Sequence, residues 1–305
     1  MKAQSFKSGS RIKVSNSDRL LIVICYLIAT LFAFICLMPF LYLISGSFSS
    51  ESQVLRGNLK IVPVHFSALA YKTIFKGQQI YLSYGVSVGT TILGTAASLV
   101  FSSFFAYPLS TGRLKYAGVI SFLVYFTMIF SGGLVPTYIW YTQGLKLSNT
   151  YWVLILPSLL IPWNMFLLRN FFSAIPPSLS ESARIDGCSE PQILFRIILP
   201  CSKPALATVG LFYALGYWNE WYRVMLYNSG DKTKWTLQFL IMKMMNEIAA
   251  AKNMAAQGFA GAGGDLPSTT VKLATAVCTI GPIILAYPFA QKYFTSGIMV
   301  GSVKG

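Results

Sequence analysis

Apolar residues along this chain fall in long blocks rather than at the spacing of a half-buried helix or strand. The first block, Leu20 to Ile44, is 25 residues without a charge. As a helix it reaches about 37 Å, enough to cross a bilayer with tilt. Pro39 near its outer end predicts a kink. Leu82 to Leu109 forms a second span, rich in small residues (Gly85, Gly89, Gly94, Ala96, Ala97, Ser98) that let helix backbones approach closely. That helix is expected at the centre of the bundle. A third span, Ala117 to Tyr141, is interrupted by Ser131-Gly132-Gly133 and Pro136. The fourth, Thr150 to Phe172, carries Pro157 and Pro162, the fifth runs from about Ala205 to Leu226, and the sixth from Val271 to Phe294. The pattern predicts an all-α membrane protein with six transmembrane helices.

The polar stretches between the blocks set the orientation. Residues 1–19 form a basic tail, with Lys2, Lys7, Arg11, Lys13 and Arg19 against Asp18, which belongs on the cytoplasmic side. The short loop Ser110–Tyr116 carries Arg113 and Lys115 and reads as inside; Thr142–Asn149 carries only Lys146 and reads as outside. Six spans then put both termini, including the tail 295–305, in the cytoplasm. Segment 45–81 lies outside, its aromatics and Pro63 suggesting an ordered cap. Segment 227–270 is also outside; from Trp235 to Met254 it reads as an amphipathic helix with a methionine-rich face, followed by a connection with glycines at 258, 261, 263 and 264. The remainder, 82–294, is the core of the protein, including an inner loop at 176–204.

Composition agrees with a membrane protein. Hydrophobic residues make up 54% and charged residues 11%, against about a quarter charged in soluble domains. The net charge of +15 invites a nucleic-acid reading, but the basic residues flank apolar runs, as expected of a chain held against anionic lipid. The five cysteines form no CxxC pair and His65 is the single histidine, which argues against a disulfide framework or a zinc site. There is no GxxxxGK[ST] loop, no HExxH and no GxSxG, so the chain neither cradles ATP in that manner nor offers catalytic machinery. It reads as a non-enzyme.

Two stretches carry more information. Ser178 with Glu181 three residues later, and Ser189 with Gln192, both have the spacing of a capping box. Gly187 between them is placed to end the first helix in a left-handed conformation, and Pro200 and Pro204 are placed to stop the second. The expectation is two short helices joined by a tight bend, projecting from the membrane. The other stretch is Tyr217 to Arg223 in the fifth span. Glu220 and Arg223 can pair at i, i+3. On a helix entered at Ala205, Asn219 lies about 21 Å along the axis. Ionisable residues at that depth face a bundle interior or a water-filled path, and aromatic faces beside amide and carboxylate groups suit carbohydrate. The competing reading is an aromatic belt at the outer interface.

The first stretch resembles the cytoplasmic loop of ABC-importer permeases, in particular those of carbohydrate uptake. Glu181-Ser182-Ala183, three residues, Gly187, nine residues and Ile197-Ile198-Leu199-Pro200 match the family spacing, with Ser182 standing where alanine is usual. Asp186 and the run Lys203 to Thr208 match too. Trp218-Asn219-Glu220, Gly144 to Thr150, and Arg169 to Phe172 followed by Ile175-Pro176 resemble the same family, and Ser131 to Tyr138 looks like a subgroup serving polysaccharide fragments, including acidic ones. The resemblance implies a type I ABC importer permease fold in the cytoplasmic (inner) membrane of a bacterium, moving a sugar, an oligosaccharide or polysaccharide fragment, by alternating access. It implies ATPase coupling through Glu181, Ser182, Ala183, Asp186, Gly187, Ile197, Leu199 and Pro200, and a substrate path at Trp218, Asn219, Glu220 and Tyr222. Implied partners are a second, homologous permease, two cytoplasmic ATPase subunits that bind ATP and Mg, and an extracellular solute-binding protein; this chain itself needs no cofactor. A permease for amino acids or peptides, or a secondary transporter, stays open as an alternative.

Overall fold

The computed structural model describes residues 16–256, 269–282 and 284. Every regular element among them is helical, apart from one isolated bridge between Ser49 and Phe66. Helix α1, Asn16–Ser47, is longer at both ends than the apolar block, because backbone hydrogen bonding carries the helix past the lipid-compatible residues. Four residues of the expected tail, 16–19, are therefore helical. Pro39 lies inside α1 without ending it. The most apolar window of α1 has none of its residues buried, so its side chains need lipid or another chain around them. Its C-terminal end does pack. Gly46 sits where a Cβ would come within 2.8 Å of Leu273, and the Ser47 and Tyr71 hydroxyls are 2.9 Å apart.

Beyond α1 the chain forms the expected ordered cap from α2 (Glu51–Leu55) and α3 (Leu69–Lys76). The Phe48 ring stacks on both Phe66 and Tyr71. Glu51 ties this cap to the last described helix, α14, residues 269–282. Its carboxylate accepts from the amides of Thr269 (2.8 Å) and Thr270 (2.9 Å) and from the Thr270 hydroxyl (2.6 Å). A helix N-terminus offers unbonded amides and positive potential, so a carboxylate is favoured there.

Helix α4, Gln78–Ser110, runs 33 residues without a break, about 50 Å. Its buried face carries Ser83, Ser87, Thr90, Gly94, Ser98 and Ser102, three or four residues apart, so one seam of small side chains lies along the helix. Of the small residues singled out in the sequence, Gly94 and Ser98 lie in the seam. Gly85 and Gly89 have open space where a Cβ would go. A Cβ on Gly94 would stand 2.6 Å from the Tyr217 ring, so glycine is required there by close approach.

Three further spans are bent. Helices α5 (Ala117–Ile129) and α6 (Leu134–Ile139, continuing as a π turn to Gly144) meet at 110° across 130–133, where Gly133 has φ +87°. The fourth span is α7 (Trp152–Ile155) with a 3-10 turn to Ser158, then α8 (Pro162–Ser173), bent by 48°. The segment 176–204, expected to be the inner loop, carries α9 (Pro177–Ile185), α10 (Glu190–Ile193), a π turn to Ile198 and α11 (Leu199–Cys201). Helix α12, Lys203–Trp218, leaves that segment at 88°. It does not continue to Leu226 as the apolar pattern suggested. The chain breaks at 219–221 and resumes in a short turn with a π stretch, Val224–Asn228. The reason is local: Glu220 Oε1 accepts from the Arg223 amide at 2.9 Å, a side-chain bond that competes with the helical ladder. Helix α13, Leu237–Ala256, occupies the expected amphipathic stretch; of its methionines, Met244 packs on the core and the adjacent Met245 is exposed. The glycine-rich connection, the end of the sixth span and the C-terminal tail lie outside the described residues.

Candidate functional site

The segment 176–204 is built differently at its two helix starts. Helix α9 begins at Pro177 with Pro176 as its cap, so Ser178 already lies inside the first turn. The expected box of Ser178 and Glu181 does not form; proline at the first helical position has its φ preset and lacks only an amide that would be unbonded anyway. Glu181 faces Arg113 of the neighbouring loop 110–116 instead, at 3.9 Å, with both side chains more than half exposed and the pair correspondingly weak. The second start is as expected: Gln192 Oε1 accepts from the Ser189 amide at 2.9 Å in a capping box.

The bend lies at Gly187, with φ +81°. The Gly187 amide donates to Arg184 O (3.0 Å) and the Cys188 amide to Ala183 O (2.9 Å), the bond pair of a Schellman motif. No atom lies within 4 Å of where a Cβ would be, so the demand for glycine is conformational rather than steric. Pro200 does not stop the following helix. The π turn Leu194–Ile198 widens the ladder just ahead of it, and the proline is carried into α11. The turn comes at Ser202, and Pro204 opens α12 rather than closing its predecessor.

Among the residues marked for coupling, Glu181, Ser182, Asp186, Gly187 and Pro200 are exposed, Ile197 and Leu199 are half-buried, and Ala183 is buried against the core. One residue escaped notice: Ile185, at the end of α9, is 87% exposed, an isoleucine held in the open beside the bend. A three-residue link also forms here. Arg184 grips Glu190 with two bonds, Nε to Oε1 at 2.7 Å and Nη2 to Oε2 at 3.2 Å, while the Tyr107 hydroxyl of α4 donates to Oε2 at 2.5 Å. The Arg184 guanidinium, then the Tyr107 hydroxyl, hold the Glu190 carboxyl below the usual carboxylate range. Beside it opens a cleft of about 340 Å³ lined by Phe104, Leu114, Pro191 and Leu194 among others. Arg169 adds a further tie, donating from Nε to Leu109 O at 3.2 Å near the end of α4.

The block from Trp218 to Tyr222 separates into two kinds of residue. Trp218 is buried and donates from Nε1 to Thr279 O of α14 at 3.1 Å. Glu220 forms an ion pair with Arg223, so the pairing seen in the sequence exists, but at a helix restart. Asn219 and Tyr222 are exposed. Asn219 Nδ2 donates to Leu215 O and its Oδ1 accepts from Gln238, both at 2.9 Å, while Tyr222 meets the Trp221 ring edge-on. Among the described residues no cluster of His, Cys, Asp or Glu can hold a metal ion.

Comparison with known proteins fits this geometry. The family described as binding-protein-dependent transport system inner membrane component matches residues 11–300. The polygalacturonan/rhamnogalacturonan transport system permease protein YtcP of Bacillus subtilis is 42% identical over 288 residues, covering 94% of this chain and 99% of that protein. Protein LplC of the same organism is 41% identical over 273 residues, covering 89% and 90%. A solved bacterial ABC transporter involved in the import of the acidic polysaccharide alginate superposes with a TM-score of 0.79 at 30% identity, over 92% of this chain and 98% of that one.

Proposed function

Because the chain belongs to the family of binding-protein-dependent transport system inner membrane components, we propose that it is one membrane-spanning subunit of an ATP-driven importer of polysaccharide fragments. It is a multi-pass component of the inner membrane and a permease, not an enzyme. The observation that carries the proposal is the bend at Gly187. It sets α9 apart from the apolar spans with Ser182, Ile185 and Asp186 in the open, a surface suited to a groove on a separate cytoplasmic ATPase. Six spans with both termini in the cytoplasm, a second permease and an external solute-binding protein complete this reading. Asn219 and Tyr222 are the residues of the fifth span offered to the sugar, with Trp218 and Glu220 holding the break that exposes them.

The substrate class follows from two relatives. One is named for polygalacturonan, a polymer of a uronic acid, and a structural neighbour for acidic alginate. We assign anionic oligosaccharides on that basis. The test is uptake of a labelled oligogalacturonide by cells that carry or lack this chain. Uptake that depends on the chain and is outcompeted by uronate oligomers, but not by neutral ones, is the expected result; equal uptake without the chain rejects the assignment.

A further inference from the structure

The link between Tyr107, Glu190 and Arg184 joins elements that the coupling motif does not explain. Arg184 closes α9 onto α10 across the Schellman bend, so the two short helices form one rigid unit. Tyr107 then ties that unit to α4 by a charge-assisted hydroxyl bond. Among the described residues α4 is the unbroken helix that packs in the bundle along its length. It carries Tyr107 at the loop and, about 160° round the helix from it, the seam in which Ser102 and Ser98 meet Tyr213 and Tyr217 and the Ser87 hydroxyl accepts from the Leu237 amide at 2.9 Å where α13 begins, so the link and the seam are joined by the helix as a body. From Tyr107 to Ser87 is about 30 Å.

We infer that Tyr107 and Glu190 are positioning residues that pass movement of the inner loop into α4, and through it to the outer segment at Leu237. This rests on the reading of the inner loop as the ATPase contact. The geometry separates the link from the loop's own integrity: removing the Tyr107 hydroxyl leaves Arg184 and Glu190 paired, so the loop keeps its shape and its exposed face. Tyr107→Phe should therefore keep the ATPase bound while weakening the response at the far side.

The experiment uses the assembled transporter in membrane vesicles, with the five native cysteines replaced by serine and, as a reporter, Lys232→Cys, an exposed position whose carbonyl accepts from Gln79 of α4. Its labelling rate by an impermeant maleimide is measured with and without ATP and vanadate. In the unsubstituted background the rate should change on trapping. Tyr107→Phe should cut that change about tenfold, as the loss of one bond to a charged group can do, with equal ATPase co-purifying. Glu190→Gln, which also removes the charge that Arg184 grips, should add a loss of bound ATPase that Tyr107→Phe does not show. An unaltered response in Tyr107→Phe, or a loss that merely follows loss of bound ATPase, overturns the inference. Absence of any response in the unsubstituted transporter instead rejects alternating access, and absence of bound ATPase rejects the reading of the loop.

Discussion

The hydroxyl of Tyr217 lies 3.1 Å from the carbonyl oxygen of Ile155, where the fourth span loses its regular ladder. The carbonyl is free because the Leu159 amide turns to Leu156 O in the 3-10 turn. Ser158 O is freed in the same way, since Pro162 has no amide, and Ser98 Oγ donates to it at 3.2 Å. The Ile161 amide, also outside the ladder, donates to the Tyr213 hydroxyl at 3.1 Å. Irregular backbone at membrane depth is tolerated only where protein groups take up its hydrogen bonds, and two tyrosines of α12 with one serine of α4 do that here.

Tyr217→Phe should then lower the thermal stability of the detergent-purified chain by about 1–3 kcal/mol, because Ile155 O is left buried without a partner. Gly94→Val acts on the same contact from the other side, pressing on the ring by overpacking at a similar cost of about 1–3 kcal/mol. Unfolding followed by fluorescence checks both. Unchanged midpoints would mean the break does not depend on this contact.

Gly187→Val should abolish co-purification of the ATPase while the chain still inserts in the membrane. The strain of a β-branched residue at positive φ is about 1 kcal/mol or more, and the larger effect is misdirection of α9. Glu181→Gln isolates the docking role, since Glu181 makes no capping box. It should keep the loop folded and reduce ATP hydrolysis stimulated by loaded binding protein. Full stimulation in both variants would remove the loop from the ATPase contact.

Trp218 and Asn219 should behave differently. Trp218→Phe takes away the indole bond to α14 and should show as a loss of stability of about 1 kcal/mol. Asn219→Ala should leave stability nearly unchanged and raise the substrate concentration needed for half-maximal uptake. Unchanged concentration dependence in Asn219→Ala would make the break a structural feature only.

Topology is checked with single cysteines. One at Lys115 should react only with reagent admitted to the cytoplasm, and one at Asn149 only with reagent outside. Reaction of both from one face excludes the six-span arrangement.

The apolar blocks, the glycine bend and the Ser189 box were legible because each is a local pattern with one dominant physical cause. The cap at Ser178 misled, since serine spacing competes with the preset φ of Pro177 and the proline prevailed. The break at 219–221 was hidden for another reason. Trp218-Asn219-Glu220 looks helical, and the i, i+3 spacing of Glu220 and Arg223 marks only a side-chain pair; it does not reveal that the carboxylate also takes the Arg223 amide from the ladder. Trp218 looked like a surface for sugar because aromatic composition carries no direction; the carbonyl of Thr279 that claims it is 61 residues away.

An unbroken α4 also fixes a phase. Each residue advances a helix by about 100° and 1.5 Å, so Ser87, Ser98, Ser102 and Tyr107 address their partners only while the count between them is kept. A single residue inserted between Ser87 and Tyr107 would swing one end of the helix away from Leu237 or from Glu190, though every side chain in it were unchanged. The three bent spans can absorb a slipped residue at their breaks. In α4 the spacing itself is under constraint, and insertions should be tolerated in 130–133 or 159–161 well before they are tolerated there.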